Sequence, residues 1–180
     1  MMNVTDVDLK ELAHFLVKAK THTYAAGGRE VRPQRPGFKE LEFRDGEWEY
    51  RDSYAGYYFA PGQEVVRLKS VPVWAMAYSG GMRLHALRCG EEDLTKRTFA
   101  FLKKALLKVD ASRPFRGPGT FTYGHLDYVD SNSGDITDFT GREKIFYRGG
   151  EVFAQKYMGG LIIHKTVVIR PNVSSRTMRS

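Results

Sequence analysis

Residues 62–85, GQEVVRLKSVPVWAMAYSGGMRLH, and residues 141–164, GREKIFYRGGEVFAQKYMGGLIIH, carry one pattern twice. Laid over one another without a gap, at a constant offset of 79, they share eight of 24 residues: Gly62/Gly141, Glu64/Glu143, Val73/Val152, Ala75/Ala154, Tyr78/Tyr157, Gly80/Gly159, Gly81/Gly160 and His85/His164. Average composition supplies about one or two such matches by chance. Other pairs keep their character, among them Val66/Ile145, Lys69/Arg148 and Trp74/Phe153. The reading is an internal duplication.

Working outward, each copy reads as a hairpin. Residues 64–69 face 73–78, and 143–148 face 152–157 around Gly149-Gly150, both hairpins running on into Tyr-x-Gly-Gly. Paired glycines in a strand signal a bulge, a bend or a close backbone approach. Upstream, Leu41-Glu42-Phe43 and Trp48-Glu49-Tyr50 alternate about Asp45-Gly46, a two-residue turn signal. Leu126-Asp127-Tyr128, with a turn expected at 131–134, is its counterpart. Downstream, 82–87 and 161–169 read as one further strand each.

A helical pattern precedes each set of strands. Thr5 is placed to cap a helix whose apolar stripe is Leu9, Leu12, Leu16 and Ala19. From about Asp93 a second helix turns Leu94, Phe101, Leu102, Ala105 and Leu106 inward and lysines outward. Gly/Pro-rich connectors at 26–37 and 113–119 follow the helices. These signals predict an α+β domain over residues 1–170. It would consist of two pseudo-twofold-related halves, about 5–88 and 91–169, each one helix followed by an antiparallel β-meander, sharing one core. Residues 171–180 are expected to form a basic flexible tail.

At 180 residues the chain suits one well-buried domain, so the two halves are expected to share a core. A single cysteine, Cys89, excludes an intramolecular disulfide framework and a Cys-rich zinc site. No signal-peptide core and no stretch approaching about 18 apolar residues is present, so a cytoplasmic protein with no membrane partner is expected. The net charge of +7 is spread along the chain without a recognition helix or an aromatic-and-basic RNA signature, which leaves nucleic acid a disfavoured partner.

Several segments together resemble a known family. They are Phe15-Leu16-Val17-Lys18-Ala19-Lys20 with Thr23-Tyr24-Ala25-Ala26-Gly27-Gly28, Arg35-Pro36-Gly37 leading to Leu41 through Gly46, Asp52-Ser53-Tyr54-Ala55-Gly56, Pro72-Val73-Trp74-Ala75-Met76, Pro114-Phe115-Arg116-Gly117-Pro118 and Tyr157-Met158-Gly159-Gly160. The combination is similar to an uncharacterised domain that often follows a Cro/repressor-type (Xre-like) helix-turn-helix in bacterial transcription regulators. The resemblance implies a prokaryotic regulatory or sensory module, a small-molecule ligand and a partner regulator protein, and it brings no catalytic residue with it. No helix-turn-helix precedes the domain in this sequence, so DNA binding by that route is not expected.

The candidate ligand site comes from segments 52–64 and 134–143, which combine glycine, aromatic and carboxylate residues in both halves. The candidates are Asp52, Tyr54, Tyr57, Tyr58, Phe59, Glu64, Trp74, Asp135, Phe139 and Glu143. Glu64 and Glu143 share a repeat position, so the two carboxylates could converge to bind a basic ligand or act as acid and base; capping of nearby amides is the simpler explanation. Asp52 and Asp135 also fit a turn-forming side-chain bond, and Trp74 also fits a plain core. A metal-dependent or carboxylate-based enzyme is the alternative, with Glu64, His85, Glu143 and His164 as its ligand candidates. No cofactor is expected. A basic nucleic-acid-binding protein is the third class.

Overall fold

The computed structural model describes residues 5–25, 27, 28, 30–87, 92–164 and 167–169. The expected tail at 171–180, Cys89, and the basic residues Arg29, Arg170, Arg176 and Arg179 lie outside the described residues. The chain runs through β1 (Thr5–Val7), α1 (Leu9–His22), β2 (Glu30–Val31), β3 (Lys39–Asp45), β4 (Trp48–Tyr54), β5 (Gly62–Leu68) and β6 (Val71–Met82). It continues with α2 (Leu84–Leu87), α3 (Glu92–Leu106), β7 (Thr120–Tyr123), β8 (Leu126–Asp135), β9 (Asp138–Tyr147), β10 (Gly150–Leu161) and β11 (Val167–Ile169).

Nine strands form one antiparallel sheet in the order β2-β3-β4-β5-β6-β10-β9-β8-β7, and β1 pairs with β11 in a separate parallel pair. This overturns the expected α+β architecture of two helix-plus-meander halves. The fold is β-rich, a single wide sheet with few helices. The reason lies in its centre. β6 and β10 pair over nine consecutive positions, from Phe153 opposite Met82 to Leu161 opposite Trp74. Two edges that separate meanders would leave open are thereby closed against each other.

Local chemistry sets where the elements begin and end. Helix α1 is capped by Asp8, not Thr5: its carboxylate accepts from the amides of Lys10 at 2.7 Å and Glu11 at 3.1 Å, while Thr5 belongs to β1. The β5–β6 turn places Lys69 and Ser70 at φ 52° and 65°, and the β9–β10 turn uses Arg148 and Gly149, at φ 50° and 83°. Such left-handed pairs match the twist of the flanking strands. The latter turn therefore falls one residue before the expected Gly149-Gly150. Residues 131–134, expected as a turn, continue β8. The chain reverses after Asp135, whose carboxylate accepts from the Thr137 amide at 2.8 Å and hydroxyl at 2.5 Å. The strand expected over 82–87 ends at Met82 and gives way to the short helix α2.

Residues opposite one another in the ladders share a face. Tyr50, Val66, Trp74, Tyr157, Phe153, Ile145 and Tyr128 therefore stand on one side of the sheet. Helix α1 packs Leu12, Phe15, Leu16 and Ala19 onto the β4–β6 end of that face. Helix α3 packs Leu94, Phe101, Leu102 and Ala105 onto the β8–β10 end. Full burial of each larger apolar side chain is worth about 1.5–3 kcal/mol. The opposite face, with Ala77, Thr140, Lys156 and Met158, is open to solvent. No helix among the described residues is long and apolar enough to cross a membrane.

The repeated Gly-x-Glu and Tyr residues describe one local arrangement present on both sides of the central ladder. Gly62 lies opposite Tyr78 and Gly141 opposite Tyr157, and a Cβ on either glycine would collide with the tyrosine facing it. The glycines let the rings lie across the sheet and reach carboxylates beyond it. Gly141→Ala is expected to destabilise the fold by about 2–3 kcal/mol through overpacking. In urea denaturation, Tyr157→Ala should cost at least 1 kcal/mol less in the Gly141→Ala background than alone, as roughly expected for residues in contact; strict additivity would refute this account.

Candidate functional site

Between the two apolar clusters, the helix-facing side of the sheet carries a row of polar groups. Asp52 on β4 faces Glu64 on β5, Tyr78 on β6 faces Tyr157 on β10, and Glu143 on β9 faces both Gln155 on β10 and Asp130 on β8. All but Tyr78 are buried. Buried charge at this density is tolerated only with partners, and two cations from outside the sheet supply them. Lys20, from the last turn of α1, binds Glu64. Arg116, from the connector between α3 and β7, binds Glu143 through Nε at 3.0 Å and Nη2 at 2.7 Å, while its Nη1 lies 3.7 Å from Glu64.

Neutral donors and a third cation complete the seam. The Tyr128 hydroxyl donates to Glu143 at 2.7 Å, and the Gln155 amide donates to it at 3.1 Å. Tyr157 donates to Asp130 at 2.8 Å, and Arg113 pairs with the same carboxylate at 3.0 Å. Tyr78 donates to Asp52 at 2.7 Å, and its ring lies 5.6 Å from the Arg116 guanidinium carbon. A space of about 20 Å³, room for one water, is enclosed by Lys20, Tyr50, Asp52, Glu64, Phe115 and Arg116.

Burial dominates the electrostatics. Asp52 is pushed up to about 7 by desolvation and by Glu64 across the ladder, against the opposing effects of the Tyr78 hydrogen bond, Lys20 and Arg116. Asp130 rises to about 6 for the corresponding reasons, burial and Glu143. Burial lowers Lys20, with Glu64 opposing. Arg116, although desolvated, is held well above its ordinary value by Glu143.

At its β4–β6 side the seam opens into a cavity of about 480 Å³. Asp52, Tyr78, Arg116 and Gln155 form its polar floor, and Phe99 of α3 with Phe153, Tyr54, Tyr57 and Tyr58 supplies apolar wall. The rings pack on each other, Tyr57 against Phe99 at 5.6 Å and Phe99 against Phe153 at 6.3 Å. The loop bearing Tyr57 and Tyr58 is laid directly across β6. Met82 donates to the Tyr58 carbonyl at 2.7 Å and Ala60 to the Gly80 carbonyl at 3.0 Å, and a Cβ at Gly81 would collide with Tyr58. That close approach accounts for the second glycine of Tyr-x-Gly-Gly in the first copy. A wider depression of about 670 Å³ lies on the open face, around Ser131, Thr140, Lys156 and Met158. It is flatter and lacks a buried charged floor, so the cavity over the seam is the better candidate.

The structure scatters the candidate residues. Asp52, Tyr54, Tyr57 and Tyr58 line the cavity. Glu64 and Glu143 lie beneath it, brought together on Arg116. Trp74 and Phe139 are core, stacked at 5.7 Å, with the Trp74 indole donating to the Ile136 carbonyl at 3.0 Å. Phe59 is 58% exposed, and Asp135 caps its own turn. His85 sits exposed on α2 and His164 bonds the Pro72 carbonyl at 2.8 Å, so neither joins the two glutamates. Among the described residues no group of three or more His, Cys, Asp or Glu could hold a metal ion.

The sequence reading passed over Lys20, Tyr24, Phe99, Arg116, Asp130 and Gln155. A signal for Asp130 existed: at an offset of 78 instead of 79, Tyr50-Arg51-Asp52 aligns with Tyr128-Val129-Asp130.

The family model described as a domain of unknown function (DUF5680) matches residues 52–162. The chain belongs to the DUF5680 family. No curated protein and no solved structure matches the chain. The DUF5680 match runs from Asp52 on the cavity floor past Glu64, Tyr78, Arg116, Asp130 and Glu143 to Tyr157, so most of the seam falls inside it, whereas Lys20 and Tyr24 precede it.

Two substitutions test the seam of this DUF5680 chain. Arg116→Ala leaves Glu143 and Glu64 short of a cation and should cost about 3–5 kcal/mol in chemical denaturation. Asp52 acts through pH. Its folded-state pKa lies above the ordinary value of 3.8, so the stability it contributes is fully present below about 4 and is lost as pH rises through about 7. Asp52→Asn stays neutral throughout. Stability of the variant should therefore fall less steeply from about pH 5 to about pH 7, the two slopes differing by about one proton. Parallel slopes would contradict the assignment.

Proposed function

We propose that this DUF5680 domain is a small-molecule-binding module whose ligand occupies the cavity between α3, the loop at 55–61 and the helix-facing side of the sheet. The carrying observation is the combination of size and chemistry. A space of about 480 Å³ falls in the ordinary size range for ligand sites, and it pairs aromatic walls with a few convergent polar groups. Asp52, Tyr54, Tyr57 and Tyr58 are the proposed contacts from the first half, with Tyr78, Phe99, Arg116 and Gln155 beside them. Glu64 and Glu143 act indirectly, by holding Arg116.

The resemblance to domains carried behind Cro-type helix-turn-helix modules supports a sensory use, in which a partner regulator responds to the occupied domain. A carboxylate-based enzyme is the second reading, favoured by one observation: a cavity-lining acid held near 7 is suited to proton transfer. The metal-dependent form fits poorly, since Lys20 and Arg116 already satisfy the two glutamates. On the open face, several basic side chains are matched by acids, Arg51 by Glu40 and Glu42, Arg142 and Lys144 by Glu151, which lends the nucleic-acid reading little support.

Ala100, exposed on α3 and lining the cavity, offers a direct test. Ala100→Trp should fill the space with little effect on folding. In ligand-observed NMR with a fragment library, fragments that bind the wild-type chain should fail to bind this variant. Equal binding to both proteins would sink the cavity reading.

A further inference from the structure

We propose that the cavity takes a small organic cation, a protonated amine on an aromatic or apolar body, and that Asp52 receives its charge. The proposal rests on the reading of this cavity as the ligand site. Its basis is a difference between two carboxylates in matching surroundings.

Asp130 and Asp52 each lie opposite a buried glutamate in the neighbouring strand, and each accepts from a tyrosine of the central ladder. Asp130 also has a cation of its own, Arg113, at 3.0 Å. Among the described residues no Lys, Arg or His comes within ion-pairing distance, 4.0 Å, of Asp52. Beside Asp52 stands the cavity. A ligand cation would take the role that Arg113 plays at Asp130.

The charges facing Asp52 point the same way. Lys20 of α1 is committed to Glu64 of β5, and Arg116 of the connector to Glu143 and Glu64, so these four charges balance. An ionised Asp52 is then surplus negative charge in a buried place, in accord with its rise to about 7. Tyr24, Tyr50, Tyr54 and Tyr78 face it as neutral phenols, each held above its ordinary value by burial. An entering cation restores the balance, and the Asp52 proton leaves to solvent as it binds. The walls suit the same guest, because ring faces such as those of Tyr57, Tyr58 and Phe99 attract cations.

Three lysines also line the cavity. Lys39 of β3 pairs with Glu30 of β2 at 3.2 Å, and Lys103 of α3 lies over the Tyr24 ring at 5.2 Å. Lys96 of α3 is likewise engaged. They favour an orientation with the amine at Asp52 and any anionic group of the ligand directed toward the lysines.

Isothermal titration calorimetry on the full chain with benzylamine, benzyl alcohol and benzoate provides the test. Benzylamine should bind, with affinity rising up to about tenfold per pH unit below about pH 7 and levelling above it, as one proton is displaced. Asp52→Asn should weaken benzylamine at least about tenfold, in line with loss of a charged partner, and abolish the pH dependence. Tyr57 is 54% exposed, so Tyr57→Ala should weaken benzylamine severalfold with little change in Tm. That variant and the wild-type pH profile keep the proposal testable if Asp52→Asn fails to fold. Benzyl alcohol binding as tightly as benzylamine, or benzoate binding unaffected by Asp52→Asn, overturns the cation assignment while leaving the cavity as a ligand site. Binding of none of the three overturns the proposal, and the ligand-site reading then stands or falls with Ala100→Trp.

Discussion

The grip of Arg116 on Glu143, with Glu64 at its far side, is the constraint around which the helix-facing half of the molecule is arranged. The arginine comes from a connector, where Pro114, Phe115 and Gly117 flank it, and it enters the sheet between clusters built on different helices. Phe115 stacks on Phe139 at 4.1 Å in one cluster, and the Gly117 amide donates to the Tyr128 hydroxyl, whose ring belongs to the other. The guanidinium thus fastens the connector across the boundary between the two clusters. A lysine would lack the planar donor fork that serves both carboxylates at once.

An apolar seam would hold the sheet and helices together at lower desolvation cost, since replacing buried ion pairs by packed hydrocarbon is often neutral or stabilising. The polar row therefore asks for a reason beyond cohesion. At its Asp130 end every acid has its cation. At its Asp52 end the same layout is left one cation short, and the molecule opens there. The asymmetry between two otherwise similar surroundings, more than any single residue, is what supports the proposed ligand site.

Much of this was legible in the sequence because it depends on neighbours along the chain. The hairpins, both long helices and the pairing of Gly62 with Tyr78 and Gly141 with Tyr157 follow from alternation, turn residues and the repeat. The single sheet was not legible, because the β6–β10 pairing joins two strands that each read as complete hairpin arms, and nothing local states which free edge meets which. In the cavity, Asp52, Tyr54, Tyr57 and Tyr58 came from a segment whose composition stood out. Arg116 and Lys20 did not, since a cation in a connector and one in a helical last turn look like ordinary surface charge until the fold turns them inward. Asp130 was hidden by a one-residue change of offset that moved attention to Asp135.

The β6–β10 ladder also governs the order in which the chain can assemble. Tyr78 and Tyr157 face each other although they lie 79 positions apart in sequence, whereas every other ladder of the large sheet joins strands adjacent in sequence. Local hairpins form in about 1–10 μs, but contacts of long sequence separation bear a loop-closure cost and slow the transition. Two twelve-residue strands, β6 and β10, are then the last of the large sheet expected to find each other, and until they do each is an open edge. The same edges on two nascent chains are complementary, so the central ladder is the point at which concentration competes with correct folding, through exchange of halves between molecules.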